Sequence, residues 1–434
     1  MTEERPATNP ETPPNETPPK DPAASTDQEG LGGDQGRAAL RQIVNGNAAI
    51  SFLAIVVALV LGGFLIALAD ERVQEAAGYF FARPFDLLGA AWTSVSDAYV
   101  AMFRGAVFDW RAASFADSIR PITESFVYAI PLILAGLGIS VGFRAGLFNI
   151  GAQGQIIVGA ILASYIGFAW DLPIGLHLIL AILGALVGGA LYGAIPGVLK
   201  ATSGANEVIV TIMLNWIAVY GIAWTLKQAV FNPGRSGQRS PAVLDSALYP
   251  RLIPDWLVPG NSFRLHWGLV VAILATLFVW WLLERSTIGF QLRAVGANPH
   301  AARTAGMSVG RITVITMVIA GGLAGLAATA QVLGTERSLT AGVAASYGFD
   351  AITVALLGRS RPLGTFLAGL LFGALKAGGS LMQRITATEI DIILVVQSVI
   401  VLLIAAPPLV RSIFRLPDPD APSRAPVTKK EAAA

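Results

Sequence analysis

The chain has 434 residues, 54% of them hydrophobic and only 13% charged, whereas soluble domains carry about 25% charged residues; with a mean hydropathy of +0.62 this argues against a water-soluble fold. Net charge is +2 and the basic residues are scattered at segment ends, so the pI of 8.9 reflects membrane topology, and nucleic acid is not an expected partner. Cysteine is absent, which removes disulfides, thiolate nucleophiles and the usual structural zinc sites; His177, His266 and His300 are too dispersed for a metal site, so no metal is expected.

Residues 1–47 hold seven of the 25 prolines within the first 22 positions, eight acidic and four basic residues, and almost no large apolar side chains. Such a stretch cannot bury enough surface to offset its ordering entropy, and a disordered cytoplasmic tail is expected. The first apolar run begins only after it, with no basic leader at the start, so that run is expected to remain as a membrane anchor and not as a cleaved signal.

A membrane-crossing helix needs about 20 apolar residues. Ala48–Ala69, Ser125–Phe143, Leu147–Trp170, Pro173–Leu199, Val208–Leu226, Leu265–Leu283, Ile312–Leu333 and Ile392–Val410 contain no Asp, Glu, Lys or Arg, and two further runs, 343–358 and 363–382, contain Asp350 and Lys376. The fold class expected is therefore all-α, a polytopic membrane helix bundle of about ten transmembrane helices, with a transmembrane body over 48–416 and a disordered C-terminal tail over 417–434. Short cytoplasmic loops accumulate Lys and Arg. An inside N-terminus puts Arg144, Lys200, the 285–311 loop, Arg359/Arg361 and Arg411/Arg415 on the cytoplasmic side, so both termini are placed there. Residues 71–110 mix Trp92, Tyr99, Phe103 and Trp110 with charges and suggest an interfacial helix on the other side. Small residues at four-residue spacing let helices approach closely in lipid, and Gly189/Gly193/Gly197, Gly321/Gly325 and Gly369/Gly373 read as such packing stripes.

The stretch Gly146-Leu-Phe-Asn-Ile-Gly-Ala-Gln-Gly-Gln155 places three amides and several glycines at the start of a span. Asn149, Gln153 and Gln155 must face protein or a water-filled path; bonding between helices and lining of a path, as in transporters with broken helices, both fit. Asn206 followed by Glu207 reads as an architectural helix start. Asn215 lies deep in the span that follows and needs a partner or water. Trp216 beside it has a ring face on which a planar solute can stack. Asp350 and Lys376 have as partners each other, backbone or substrate, and structural pairing is the expectation. In the 284–311 loop, Asn298 is a natural N-cap, Pro299 suits the first helical position and Gly306 can close the helix, which gives a short helix with small residues at Ala301, Ala302 and Ala305. A helix that short must be held by packing, which a groove on a cytoplasmic partner would supply.

The motifs at 146–155, 207–215, 292–303 and 348–358, in this order, resemble the ribose and branched-chain amino acid class of ABC importer permeases, nearest to its nucleoside branch, over about 120–410. The resemblance implies a permease subunit in a bacterial plasma membrane, paired with a second permease in a heterodimer, driven by a cytoplasmic ABC ATPase and supplied by an extracytoplasmic substrate-binding lipoprotein. The substrate path would then include Asn149, Gln153, Gln155, Asn215 and Trp216. The coupling helix that meets the ATPase would include Arg293, Gly296, Asn298, Pro299, Ala301, Ala302, Arg303 and Gly306. The chain has no G-x-x-x-x-G-K-[ST] phosphate loop, so no catalytic residue is expected in it, and ATP and Mg²⁺ belong to the partner ATPase. Related nucleoside permeases often carry Glu where this chain has Gln153, which puts a charge role for that position in doubt. A simple-sugar permease is the alternative within the family. An ion-gradient transporter is the alternative outside it, for which Asp350, Glu124 and Asp391 are the available acids.

Overall fold

The computed structural model describes residues 47–234, 238–254, 258, 263–386, 391–405, 409 and 412–414. The expected tails therefore lie outside the described residues, apart from Asn47. Residues Ile50–Ala421 form one contact unit, which holds the helix bundle.

Helices succeed one another as α1 (Asn47–Ala69), α2 (Glu71–Gly78), α3 (Pro84–Ala106), α4 (Phe115–Arg144), α5 (Ala152–Ala169), α6 (Leu176–Ser203) and α7 (Glu207–Thr225), then α8 (Gly268–Arg285), α9 (Thr287–Ala297), α10 (Pro299–Thr304), α11 (Val309–Thr329), α12 (Tyr347–Leu357), α13 (Pro362–Thr386) and α14 (Asp391–Ala405). A π turn, Ala330–Thr335, extends α11. Local chemistry sets several of the starts. The Ser114 hydroxyl accepts from Asp117 N ahead of α4, Asn206 accepts from Val208 N at 2.9 Å ahead of α7, and Glu207 is paired with Lys200 at 2.5 Å.

Seven helices, α4, α5, α6, α7, α8, α11 with its π turn, and α13, are long and apolar enough to cross a membrane; the α1–α2 pair, bent by 69° at Asp70, would make eight. The protein is thus a multi-pass, all-helical membrane protein, with fewer full-length spans among the described residues than the ten expected. The shortfall has a definite cause at 343–358. Only its second part is helical, and the 11 residues of α12 reach ~16 Å at 1.5 Å per residue, about half of a ~30 Å hydrocarbon core. At 392–410 the helix is described as far as Ala405, and most of the expected remainder lies outside the described residues.

α4 occupies the centre. Every residue from Ala129 to Gly142 is buried, against α11, α13, α12 and α8. The glycine stripes are the contacts that allow this density. A Cβ on Gly189 of α6 would lie 2.2 Å from Gly321 O of α11, one on Gly193 2.4 Å from Met317 O, and one on Gly325 2.2 Å from Ala185 O. Across α13, Gly373 stands where a Cβ would meet Ser125 O of α4 at 2.5 Å. α3 bridges other helices. Its Val95 and Tyr99 meet Gly63 and Gly62 of α1, and about three turns on, its Gly105 meets Gly378 of α13, while Phe85, Leu88 and Trp92 remain exposed.

Because the obstacle at Gly189 is backbone, Gly189→Leu must push α6 off α11, and overpacking of this kind costs about 1–3 kcal/mol or more. The expected result is a lower unfolding temperature in detergent, measured against Gly221→Leu, where an added Cβ meets nothing within 4 Å and stability should change far less.

Candidate functional site

Two interruptions of helical backbone meet inside the bundle. One is 145–151, between α4 and α5; the other is 336–346, between the π turn and α12. The first begins at Gly146, which adopts φ +70°, and Leu147 N returns to Gly142 O at 2.9 Å. Asn149 and Gln155 then close on each other, Nδ2 to Oε1 at 3.0 Å and Nε2 to Oδ1 at 3.2 Å, while Asn149 Oδ1 also accepts from Gly151 N at 3.0 Å. From α7, Asn215 Oδ1 accepts from Gly154 N at 2.9 Å and its Nδ2 donates to Ile150 O at 2.9 Å. Gln153 reaches the second interruption: Nε2 donates to Ala345 O at 2.6 Å and Oε1 accepts from Gly348 N at 2.9 Å. All four amides are buried, and their bonds stay within the protein. Those of Asn149, Gln153 and Asn215 include backbone groups in or beside the two interruptions, so the amides bond neighbouring segments.

Trp216 lies elsewhere. It is 58% exposed and stacks on Tyr220 with centroids 6.3 Å apart, on the outer side of α7, because consecutive helical residues point about 100° apart. Asp350 and Lys376 pair at 2.8 Å. Ser346 joins them, its hydroxyl donating to Asp350 Oδ2 at 2.7 Å and accepting from Lys376 Nζ at 3.3 Å, so the two intramembrane charges neutralise each other.

Beside the start of α12 lies a cavity of about 230 Å³, lined by Tyr128, Arg264, Gln331, Thr335, Glu336 and Tyr347 among others. Arg264 is held by Glu124, with Nε 3.1 Å from each carboxylate oxygen, and that hydrogen bonding raises the Arg264 pKa above its ordinary value. None of the six lining groups was singled out from the sequence. The available signal was slight: Gln331 is the one amide in the apolar run Ile312–Leu333, with Thr335 one turn on.

The expected coupling residues occupy two helices. α9 ends at Ala297, and α10 follows with Asn298 Oδ1 accepting from His300 N at 3.0 Å and Ala301 N at 3.1 Å. Pro299 opens α10, and Gly306 closes it with φ +83°. Ala302 points inward and is buried, whereas Asn298, Pro299, Ala301, Arg303 and Gly306 are exposed. Gly296 rests on the first interruption, where a Cβ would come within 2.3 Å of Arg144 O. Arg293 lines a groove of about 930 Å³ with Glu284, Arg285 and Arg311, and its Nη1 is buried without a hydrogen-bond partner among the described residues.

Asn215→Leu would orphan Ile150 O and Gly154 N, each at a cost of about 1–3 kcal/mol. The variant should unfold at lower temperature in detergent, while Trp216→Ala, which removes an exposed ring, should change stability far less.

No solved structure matches the chain. Curated relatives do. The chain is 37% identical over 323 residues to the guanosine ABC transporter permease protein NupP of Bacillus subtilis, covering 74% of this chain and 88% of that protein. It is 33% identical over 302 residues to the nucleoside ABC transporter permease protein NupB of Lactococcus lactis, covering 66% and 80%. It is 34% identical over 286 residues to the glucose ABC transporter permease protein TsgB13 of Haloferax volcanii, covering 65% and 75%. The family of the branched-chain amino acid transport system permease component matches residues 122–405, a range that holds both helix interruptions, the amides that bind them and the α9–α10 segment. The chain belongs to this family of transport permeases.

Proposed function

We propose that this chain is the membrane permease subunit of an ATP-driven ABC importer for nucleosides. The observation that carries the reading is the extent of similarity to a guanosine permease, 37% identity over 88% of its length, together with a second relative named for nucleosides. A simple sugar is the second reading, favoured by the glucose permease relative at 34% identity.

The geometry supports an arrangement of partners. Gly296 against Arg144 and Gly310 against Ala201, with Arg144 Nε donating to Ser360 O at 3.0 Å, gather Arg144, Lys200, the α8–α11 connection and Arg359/Arg361 at one end. By the positive-inside rule that end faces the cytosol and both termini lie there. The exposed face of α10 is then the contact for a cytoplasmic ATPase, which holds ATP and Mg²⁺ and drives alternation. A substrate-binding lipoprotein delivers solute to the opposite end, and a second permease completes the path across a bacterial plasma membrane.

Cells carrying the complete transporter should accumulate labelled guanosine, in competition with other nucleosides and not with ribose or glucose; competition by the free sugars alone would favour the second reading. Ala301→Trp adds bulk to an exposed position of α10 without entering the bundle. It should lower ATP-dependent uptake at least tenfold while the protein remains inserted, and unchanged uptake would overturn the assigned coupling face.

A further inference from the structure

The cavity beside α12 has properties that a general permease role does not use. Its volume of about 230 Å³ would hold roughly seven or eight waters at ~30 Å³ each. Two cationic groups at the cavity are already engaged. Arg264 is bound by Glu124, and Lys376, next inward, is bound by Asp350 at 2.8 Å. The further charge on the wall is the carboxylate of Glu336 at the exposed rim. An anion would meet this carboxylate with no unpaired cation among the described lining residues to offset its desolvation, a cost of several kcal/mol for a buried ion.

What remains on the wall is uncharged and suited to hydrogen bonding. Thr335 Oγ1 donates to Gln331 Oε1 at 3.0 Å, so the Gln331 carboxamide is oriented, and Tyr128 and Tyr347 line the same cavity. The Tyr347 ring is fixed. Lys376 Nζ lies 5.4 Å from its centroid, and Gln153 holds the next residue through Gly348 N. Aromatic side chains stack on the planar ring of a base for about 1–3 kcal/mol. The wall that carries Gln331 and Thr335 is itself a π turn, a conformation that occurs frequently at functional sites. It is shaped by the His266 imidazole, which stacks on Tyr249 at 5.2 Å and fills the space a Cβ on Gly334 would need, 2.2 Å from its Nε2.

We propose that this cavity is a halting point for substrate inside the permease, and that it selects an uncharged, hydrogen-bonding solute with a planar ring: a nucleoside, in preference to a nucleoside phosphate or an amino acid. The assignment rests on the importer reading and adds that the permease discriminates for itself. The chain contains no cysteine, so Thr335→Cys or Thr340→Cys introduces a single thiol on the cavity wall, and Thr93→Cys places one on the exposed side of α3 as a control. In right-side-out vesicles with the complete transporter, adenosine uptake by the unmodified protein tests the importer reading separately. Where that uptake is present, saturating adenosine should slow modification of the cavity thiols by a small methanethiosulfonate at least fivefold. Adenosine monophosphate and leucine should leave the rates unchanged, as should all three solutes at position 93. Equal rates at both cavity positions with and without adenosine, or equal protection by the monophosphate, would overturn the cavity assignment and leave the importer reading standing.

Discussion

A backbone N–H or C=O that leaves a helix inside an apolar bundle has no water to turn to, and each one left unpaired costs several kcal/mol. This protein has two non-helical stretches that run from exposed positions into such surroundings, at 145–151 and at 336–346. The demand is met by carboxamides, which can donate and accept at once without bringing a charge. Asn149, Gln155 and Asn215 bind the first interruption, and Gln153 ties it to the second. The half-length helix α12 can begin in mid-bundle because its first turn is received by Gln153 and by the Ser346–Asp350–Lys376 cluster.

Close packing around these interruptions depends on the complementary device of absent side chains. α6 and α11 touch through Gly189, Gly193, Gly321 and Gly325, and α13 meets α4 through Gly369 and Gly373. In lipid, where burial of apolar surface between helices gives little net driving force, such contacts gain dispersion energy and permit one arrangement only. The rigid surround leaves the segment from Gln331 to Tyr347, with its π turn and irregular backbone, as the part of the core furthest from regular helix.

Much of this was legible in the sequence where the signal is periodic or local. Glycine stripes at four-residue spacing identified the helix contacts, uncharged runs located six of the seven long spans and the run that carries Lys376 the seventh, and Asn298-Pro299 with Gly306 marked the limits of α10. Other features were not legible, for physical reasons. The run 343–358 is apolar enough for a span, but composition does not distinguish helix from a hydrogen-bonded irregular segment, so α12 was expected at full length. Amide types were readable but their partners were not, since Gln153 and Gly348 lie 195 residues apart. Asn215 and Trp216 were grouped because they are neighbours in sequence, and the helix turns them to different faces. Gln331 escaped notice because one amide in the last turn of an apolar run is an ordinary occurrence.

The contact of Gly296 with Arg144 and Ala145 has a mechanical consequence. Main chain bears directly on main chain there, with no rotamer between them to yield, so a displacement at the end of α9 has no compliant element in which to be lost. The contacts continue into the segment that Asn149 and Gln155 bind, and from Gln153 to the first turn of α12. A continuous line of contacts therefore runs from the surface of the molecule to its middle, and its outermost close approach is made by a residue that contributes no side chain at all.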